Sequence, residues 1–546
     1  MPNLNLTGRL ADWILKLPPA STRDLVIERD VKVPTPDGAV LLADHYRPRG
    51  DGKPPTILVR SPYGRRGYIG FQYGRPFAER GFQVLIQSVR GTFGSGGEFN
   101  PFRNERADGL ATLEWLKTQE WFSGDVATLG PSYLGFVQWA IARDAGPMLK
   151  AMAPQITASE FSGHNHAGGA GSLDDALFWV YLISTQERPG GQIALFGSDR
   201  KLRPIYNHLP VWDMDELAVG SPRRYWREWL EHSDPGDPWW HEVDFSGTAA
   251  QVRAPVNMLT GWYDLFLPWQ LKDYAALWQA GRNPYLTIGP WTHTSMAAAQ
   301  AGIIEALAWF KAQLLDDRSG LREAPVRIFM MGAQEWRDLP AWPPASYRPQ
   351  RWHLQPAGGL APELPVESPP DRYRYDPADP TPSIGGVLLN GSAGPKDNRA
   401  LEARPDVLTY TGAVLDRDCE AIGPVSVELY VRSSLEHTDF FARLCDVDPT
   451  GKSVNICDGL LRLRPGQPAP EMDGCLCVWI DLWPTAYRFR RGHRIRVQVS
   501  SGAHPRFGRN PGHGEPLATT TRLIAADQAV YHDPAHPSAI ILPMEA

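Results

Sequence analysis

Three short stretches of the 546-residue chain carry residue types that could attack an acyl carbon and move the proton this requires. Gly130-Pro131-Ser132-Tyr133-Leu134-Gly135 follows the apolar run Val126-Ala127-Thr128-Leu129 and precedes an apolar helical stretch through Phe136, Val137, Trp139, Ala140 and Ile141. A serine at such a strand-to-helix turn is held exposed over the end of a sheet, although so short a Gly-x-Ser string also suits a plain helix N-cap. Its hydroxyl is a weak nucleophile until a base takes the proton and a carboxylate fixes the tautomer of that base. Gly261-Trp262-Tyr263-Asp264 and Gly289-Pro290-Trp291-Thr292-His293 supply both groups, each just past a short apolar run. Open α/β sheets place their sites at that edge, beyond the carboxyl ends of the strands. The chain order Ser132, Asp264, His293 is the order of α/β hydrolases.

The elements needed to bring these residues together are legible around them. Val31, Val33, Val40 and Leu42 alternate about Asp37-Gly38, the pattern of a hairpin. Thr56-Ile57-Leu58-Val59 and Phe82-Gln83-Val84-Leu85-Ile86 have the length and composition of strands buried on both faces, so a parallel sheet is expected. Leu110, Leu113 and Leu116 recur at helical spacing within 104–119 and predict a crossover helix. From 147 to 245 that alternation gives way to Gly- and Pro-rich loops, with helices expected over 174–186 and 223–232. It resumes over 246–348. The expected fold is therefore an α/β core in two parts, 1–146 and 246–348, interrupted by a helical cap, 147–245. Beyond 349, period-two runs such as Val425, Val427, Leu429, Val431 and Val478, Ile480, Leu482 predict an all-β sandwich extending to 546.

Composition narrows the classes further. The net charge of −6 gives no basic excess to draw nucleic acid. No apolar run reaches the roughly 18 residues of a membrane span, and the first ten residues lack the features of a secretory leader, so a cytoplasmic protein is expected. The five cysteines show no C-x-x-C spacing and read as buried free thiols. His164-Asn165-His166 has no third ligand at a metal-binding spacing and reads as a solvated loop, and Gly94-Ser95-Gly96-Gly97 lacks the Lys-Ser/Thr of a phosphate loop. No metal or cofactor is expected. Asp174 and Asp175 open a helix, where acids offset the dipole; one turn before Trp179, they could instead anchor an amine.

With these blocks in hand, the chain resembles the cocaine-esterase and X-Pro dipeptidyl-peptidase (CocE/NonD) family of serine hydrolases. Arg60-Ser61-Pro62-Tyr63, Val89-Arg90-Gly91 with Gly97-Glu98-Phe99, and Thr438-Asp439-Phe440 with Asp446-Val447 add to the likeness, in the family's order. The resemblance implies an α/β-hydrolase core, an inserted helical cap and a C-terminal jelly-roll. It implies Ser132 as nucleophile, His293 as general base and then acid, and Asp264 as its orienting carboxylate. Tyr63 through its hydroxyl and Tyr133 through its backbone N–H would form the oxyanion hole, and Phe178, Trp179 and Phe266 the acyl pocket. Two departures stand out: Pro131 before the nucleophile, which stiffens the turn, and Ser88 where relatives carry an Asp that could support Arg90. The implied substrates are small esters, with amides as an extension, bearing a bulky or aromatic acyl group, and the implied assembly is a homodimer. Narrower members of the family, X-Pro dipeptidyl-peptidases and α-amino-acid ester hydrolases or β-lactam acylases, need a carboxylate near the acyl site. The rival from another class is an idle hydrolase core whose tryptophans bind carbohydrate.

Overall fold

The computed structural model describes residues 6–191, 197–466, 468–469 and 471–545. The first five residues, part of the stretch read against a secretory leader, lie outside the described residues. No described helix is long and apolar enough to cross a membrane.

Ten strands form the first sheet: β1 (Leu25–Pro34), β2 (Val40–Pro48), β3 (Thr56–Ser61), β4 (Gln83–Ser88), β5 (Val126–Pro131), β6 (Leu149–Gln155), β7 (Asn257–Tyr263), β8 (Tyr285–Thr292), β9 (Val326–Met330) and β10 (Glu335–Leu339). Their order is β1-β2-β4-β3-β5-β6-β7-β8-β9-β10. The hairpin β1-β2 and the edge strand β10 pair antiparallel, and every pairing from β4 to β9 is parallel. Every residue of β3, β4 and β7 is buried, as crossover helices on both faces require. Those helices include Glu105–Leu116, Tyr133–Ala142, Leu267–Gln279 and Met296–Leu314.

The expected cap boundary at 147 cuts off a strand of the sheet. β6 lies in the segment read as strand-free, because Lys150, Pro154 and a run of Ala and Met lack the β-branched signature of its neighbours. The insertion proper starts and ends at one point. The Phe245 N–H donates to the Ser159 carbonyl at 2.9 Å, and the Asp273 carboxylate takes the Ser159 N–H at 2.9 Å. Within it, helices span Leu173–Thr185 and Arg224–Glu231, each within a residue of expectation.

The C-terminal domain is all-β. Twelve strands, from β11 (Tyr347–Gln355) to β22 (Ala539–Glu545), join in a second, largely antiparallel network. Along β18 (Leu476–Phe489) the side chains of Val478, Ile480 and Leu482 are buried while Trp479 and Asp481 face out, the period of two read in the sequence. Cys445, Cys457 and Cys475 are buried free thiols, as expected, whereas Cys419 and Cys477 are only half-buried.

This domain is stitched to the cap. The Leu173 and Asp174 N–H groups donate to the Arg506 and Pro505 carbonyls, both at 3.1 Å, and the Leu389 N–H donates to Asp175 Oδ1 at 2.9 Å. The first turn of the Leu173–Thr185 helix thus finds acceptors outside its own segment, which helix N-termini need. Gly168 presses on the strand Ser453–Leu463 so closely that a Cβ there would lie 1.7 Å from the Leu460 carbonyl oxygen. On the core side, Met331 and Arg488 exchange backbone hydrogen bonds with the opposite domain at 3.0 and 2.9 Å.

Candidate active site

Ser132 stands between β5 and the helix Tyr133–Ala142 with φ 55° and ψ −124°, a backbone conformation that a non-glycine residue adopts only under constraint. The constraints are visible. Its N–H donates to the Gln155 carbonyl at 2.9 Å, and its carbonyl accepts from the Thr157 hydroxyl at 2.7 Å. A Cβ on Gly130 would lie 2.4 Å from Leu134 Cβ, and one on Gly135 would lie 2.3 Å from Thr157. Gly135 therefore lets the helix approach the segment just after β6 closely, even though Leu134 occupies the place where hydrolase elbows commonly have glycine. As the first helical residue, Tyr133 has a backbone N–H free of intrahelical partners. Its phenol is pinned: it donates to Glu105 Oε1 at 2.8 Å and accepts from the Phe102 N–H at 2.9 Å, and Glu105 pairs with Arg60 at 2.9 Å.

Asp264 and His293 follow β7 and β8. His293 Nδ1 and Asp264 Oδ2 are 2.8 Å apart, and Asp264 Oδ1 accepts from the Phe266 N–H at 2.8 Å. Asp264 is fully buried, so both oxygens are tied in a place where an unpaired carboxylate would be costly. With Nδ1–H directed at Asp264, Nε2 is the nitrogen left for other work. Gly261 and Gly289 make the geometry feasible. A Cβ on Gly261 would lie 2.2 Å from the Trp291 carbonyl, and one on Gly289 2.3 Å from the Trp291 ring.

A cavity of about 490 Å³ opens between the sheet edge, the cap and the C-terminal domain, and it is lined by Tyr63, Ser132, Tyr133, Phe178, Trp179, Phe266 and His293. Asp264 is the one candidate residue set behind this lining, against His293. The Trp179 indole N–H donates to the Tyr63 oxygen at 3.1 Å. Burial pushes the Tyr63 phenol up to about 12, with the Trp179 and Ser132 side chains opposing the rise, so it is protonated at neutral pH and can donate. Trp179 also lies parallel to the Tyr133 ring at 6.1 Å, and Phe266 meets the His293 ring edge-on at 5.5 Å. The loop after β4 does not depend on an acid at position 88. Arg90 is held by Asp108 at 2.6 Å and Asp37 at 2.7 Å, while the Ser88 hydroxyl accepts from Arg65 at 3.1 Å.

One sequence reading needs correction. His164 and His166 do not sit in a solvated loop; both are buried, and His164 lines the cavity with its ring 4.7 Å from that of Phe266. Burial, with His293 nearby, pushes its imidazole down to about 3. Asp174 and Asp175 open a helix, as expected; both are buried, and Asp175 lines the cavity. Burial raises Asp175 to about 7, against the pull of Arg506, and Asp174 rises well above the usual carboxylate range. Arg506 is itself engaged with Asp458. Leu389, from the C-terminal domain, completes this wall.

Gln72, Ile156 and Leu389 also line the cavity, and sequence reasoning gave no sign of them. Among the described residues, one cluster of metal-ligand type is found, Glu471, Asp473 and His536 in the C-terminal domain. None of the three lines the cavity, and Asp473 already pairs with Arg432 and His536.

Comparisons with known proteins agree with this architecture. Residues 37–295 match the family model of X-Pro dipeptidyl-peptidase (S15 family), and 319–541 match that of the X-Pro dipeptidyl-peptidase C-terminal non-catalytic domain. The chain is 33% identical to a cocaine esterase of a Rhodococcus species, over 95% of this chain and 98% of that one. Its fold is similar to that of an aminopeptidase from a marine sediment Thaumarchaeota archaeon, with a TM-score of 0.80 and 21% identity over 97% of this chain and 98% of that one. An α-amino acid ester hydrolase gives a TM-score of 0.75 and 23% identity, covering 97% and 98% of the two chains. Sequence blocks, fold and full-length likeness converge, and the chain belongs to the CocE/NonD family of serine hydrolases.

Proposed function

We propose that the protein hydrolyses carboxylic esters through an acyl-enzyme on Ser132, with Asp264 and His293 completing the catalytic set. His293 Nε2 takes the Ser132 proton as Oγ attacks the ester carbonyl, and the carbonyl oxygen gains the negative charge. The Tyr63 hydroxyl and the Tyr133 N–H donate to that oxygen, interactions worth about 3 kcal/mol apiece because the charge exists only at the transition state. Collapse breaks the acyl–oxygen bond, and the alcohol leaves with the proton from His293. Water then repeats the sequence and returns free serine and the acid. The aromatic wall of Phe266, Phe178 and Trp179 suits a bulky or aromatic acyl group.

The observation that carries the reading is the buried Asp264–His293 hydrogen bond behind a cavity that also holds the constrained Ser132. Labelling with a fluorophosphonate probe and peptide mapping tests it. A single adduct on Ser132, lost in His293→Ala, is the expected result; folded protein that takes no adduct would overturn the assignment and favour an idle, carbohydrate-binding core.

Asp175 favours a second reading, an acyl group that carries a protonated amine. An ammonium beside Asp175 would supply countercharge to a buried acidic pair. The same requirement would hold for a dipeptidyl-peptidase substrate. The check is kcat/KM for phenylglycine methyl ester against methyl phenylacetate: a preference for the amine-bearing ester that Asp175→Asn abolishes supports it, and equal loss on both esters removes it.

A further inference from the structure

Tyr63 follows β3 and so belongs to the α/β core, yet two side chains of the inserted cap reach it. Under the esterase reading its hydroxyl must meet one oxygen, and a tyrosine, with two rotatable side-chain bonds, is aimed only as well as the backbone it starts from. The turn that carries it bends sharply. Gly64, the next residue, has φ 88°, and a Cβ there would lie 3.0 Å from the Phe93 ring in the loop after β4.

The peptide that joins Pro62 to Tyr63 is held at both edges. Its N–H donates to the Ser61 hydroxyl at 3.0 Å, within the turn itself. Its carbonyl accepts from the Gln186 side-chain amide at 2.9 Å, across 124 positions of chain. In a trans peptide the N–H and the carbonyl point to opposite sides, so the two bonds together fix the plane from which Tyr63 starts. Gln186 is 6% exposed and lines the cavity. It continues the helix Leu173–Thr185 with φ −59° and ψ −30°, and its own N–H bonds back to the Leu182 carbonyl at 3.0 Å. About two helical turns separate it from Trp179, so the two side chains leave the helix on one face. Gln186 meets Tyr63 at its backbone root, and Trp179 donates to its hydroxyl at 3.1 Å. The next residue, Glu187, takes the Phe93 N–H at 2.9 Å and so ties down the loop that faces Gly64.

We propose that Gln186 is a positioning residue for the oxyanion hole: by holding the Pro62 carbonyl, it sets where the Tyr63 hydroxyl points. The inference rests on the esterase reading, in which that hydroxyl donates to the oxygen that gains charge. Gln186 acts through Tyr63 and not on the substrate. Without its amide the Pro62 carbonyl loses its partner from the cap and the peptide plane is free to turn. A displacement of about 1 Å at the hydroxyl is then enough to weaken an interaction that counts only at the transition state. Acylation and deacylation both pass through a charged tetrahedral oxygen, so both steps slow together.

Four proteins test this: the wild type, Gln186→Met, which keeps the side-chain length and removes the donor, Tyr63→Phe, and the two substitutions combined. Gln186→Leu takes the place of Gln186→Met should that variant fail to fold. kcat and KM are measured for each on an ester the wild type turns over, with Tm recorded alongside. The expected result is a fall of about tenfold in kcat for Gln186→Met, with KM changed by less than about twofold, and a fall of less than about twofold when the same substitution is added to Tyr63→Phe. Equal falls with and without the Tyr63 hydroxyl would show a merely structural glutamine and overturn the proposal. A kcat that does not move would overturn it as well, and so would a loss confined to KM, which would place Gln186 on the substrate. Tyr63→Phe alone with wild-type kcat is a separate failure: it would overturn the oxyanion role of Tyr63 in the esterase reading, and this assignment with it.

Discussion

Two histidine–aspartate pairs serve one cavity and are built in opposite ways. His293 and Asp264 touch at 2.8 Å, and the second oxygen of Asp264 is tied to the Phe266 N–H. His164 Nε2 and Asp175 Oδ2 stand 3.9 Å apart, beyond hydrogen-bonding distance, and among the described residues the Leu389 N–H is the one backbone donor bonded to the Asp175 side chain. The first pair grows from two neighbouring strand ends of a rigid sheet. The second joins a short cap helix to the start of a longer one, with the C-terminal domain covering both. Burial is high in each, and the difference lies in hydrogen bonding. A carboxylate with both oxygens tied is fixed in place and can hold its histidine in one tautomer, whereas burial raises Asp175 and favours its protonated form. The same residue types thus make a tightly hydrogen-bonded pair in one place, the one proposed to move the proton, and a loosely joined pair that burial favours as neutral in the other.

Breaking the first pair should have the largest effect. Asp264→Asn leaves the volume intact but removes the acceptor that fixes the His293 tautomer, and kcat is expected to fall about 10,000-fold, as measured on any ester the wild type turns over. A loss of tenfold or less would erase the functional contrast between the pairs. Next in size comes Tyr63→Phe, which deletes the proposed oxyanion donor and should lower kcat by about 100- to 1,000-fold with little change in KM. Trp179→Phe tests how the donor is aimed. Without the indole N–H on the Tyr63 oxygen, kcat should drop by about tenfold, the smaller loss of a positioning residue.

The second pair should show itself in stability. Asp175 keeps its proton up to about 7 when folded and releases it near 3.8 when unfolded, so the folded chain binds more protons in between. Its stabilising effect is complete below about 3.8 and is lost as the pH rises through 7. Asp175→Asn escapes that loss, and its Tm relative to the wild type is expected to rise by about one to three degrees between pH 5 and pH 8.5. His164 runs the other way. Its folded pKa, about 3, lies below the unfolded 6.5, so the wild type loses stability as the pH falls below 6.5. His164→Gln should gain about one degree on the wild type between pH 7.5 and pH 5 by scanning calorimetry. Flat profiles for both variants would mean that the two pairs do not differ in the way their hydrogen bonding implies.

The contrast also explains what the sequence could disclose. Ser132, Asp264 and His293 each follow a short apolar run, so local pattern and chain order suffice to single them out. The core hairpin, the crossover helices and the alternating β18 were legible for the same reason. β6 was missed because a parallel strand made of Ala, Met and Pro is identified by its neighbours in the sheet rather than by its own composition. His164 was misplaced because rings distant in sequence, Phe266 and Trp269, pack against it, and local spacing does not reveal them. Gln72 gave no signal, since a π-helical turn between two glycines has no recognisable period.

The stitching of the Leu173–Thr185 helix to the backbone at Pro505, Arg506 and Leu389 has a mechanical consequence. This helix is anchored at its first turn and carries Trp179, so any displacement of it would pivot about the C-terminal domain rather than about the α/β core. Tyr68, exposed and lining the cavity, marks where it opens to solvent. The β-domain then acts as a brace. Its grip reaches the phenol of Tyr63 through one indole, that of Trp179.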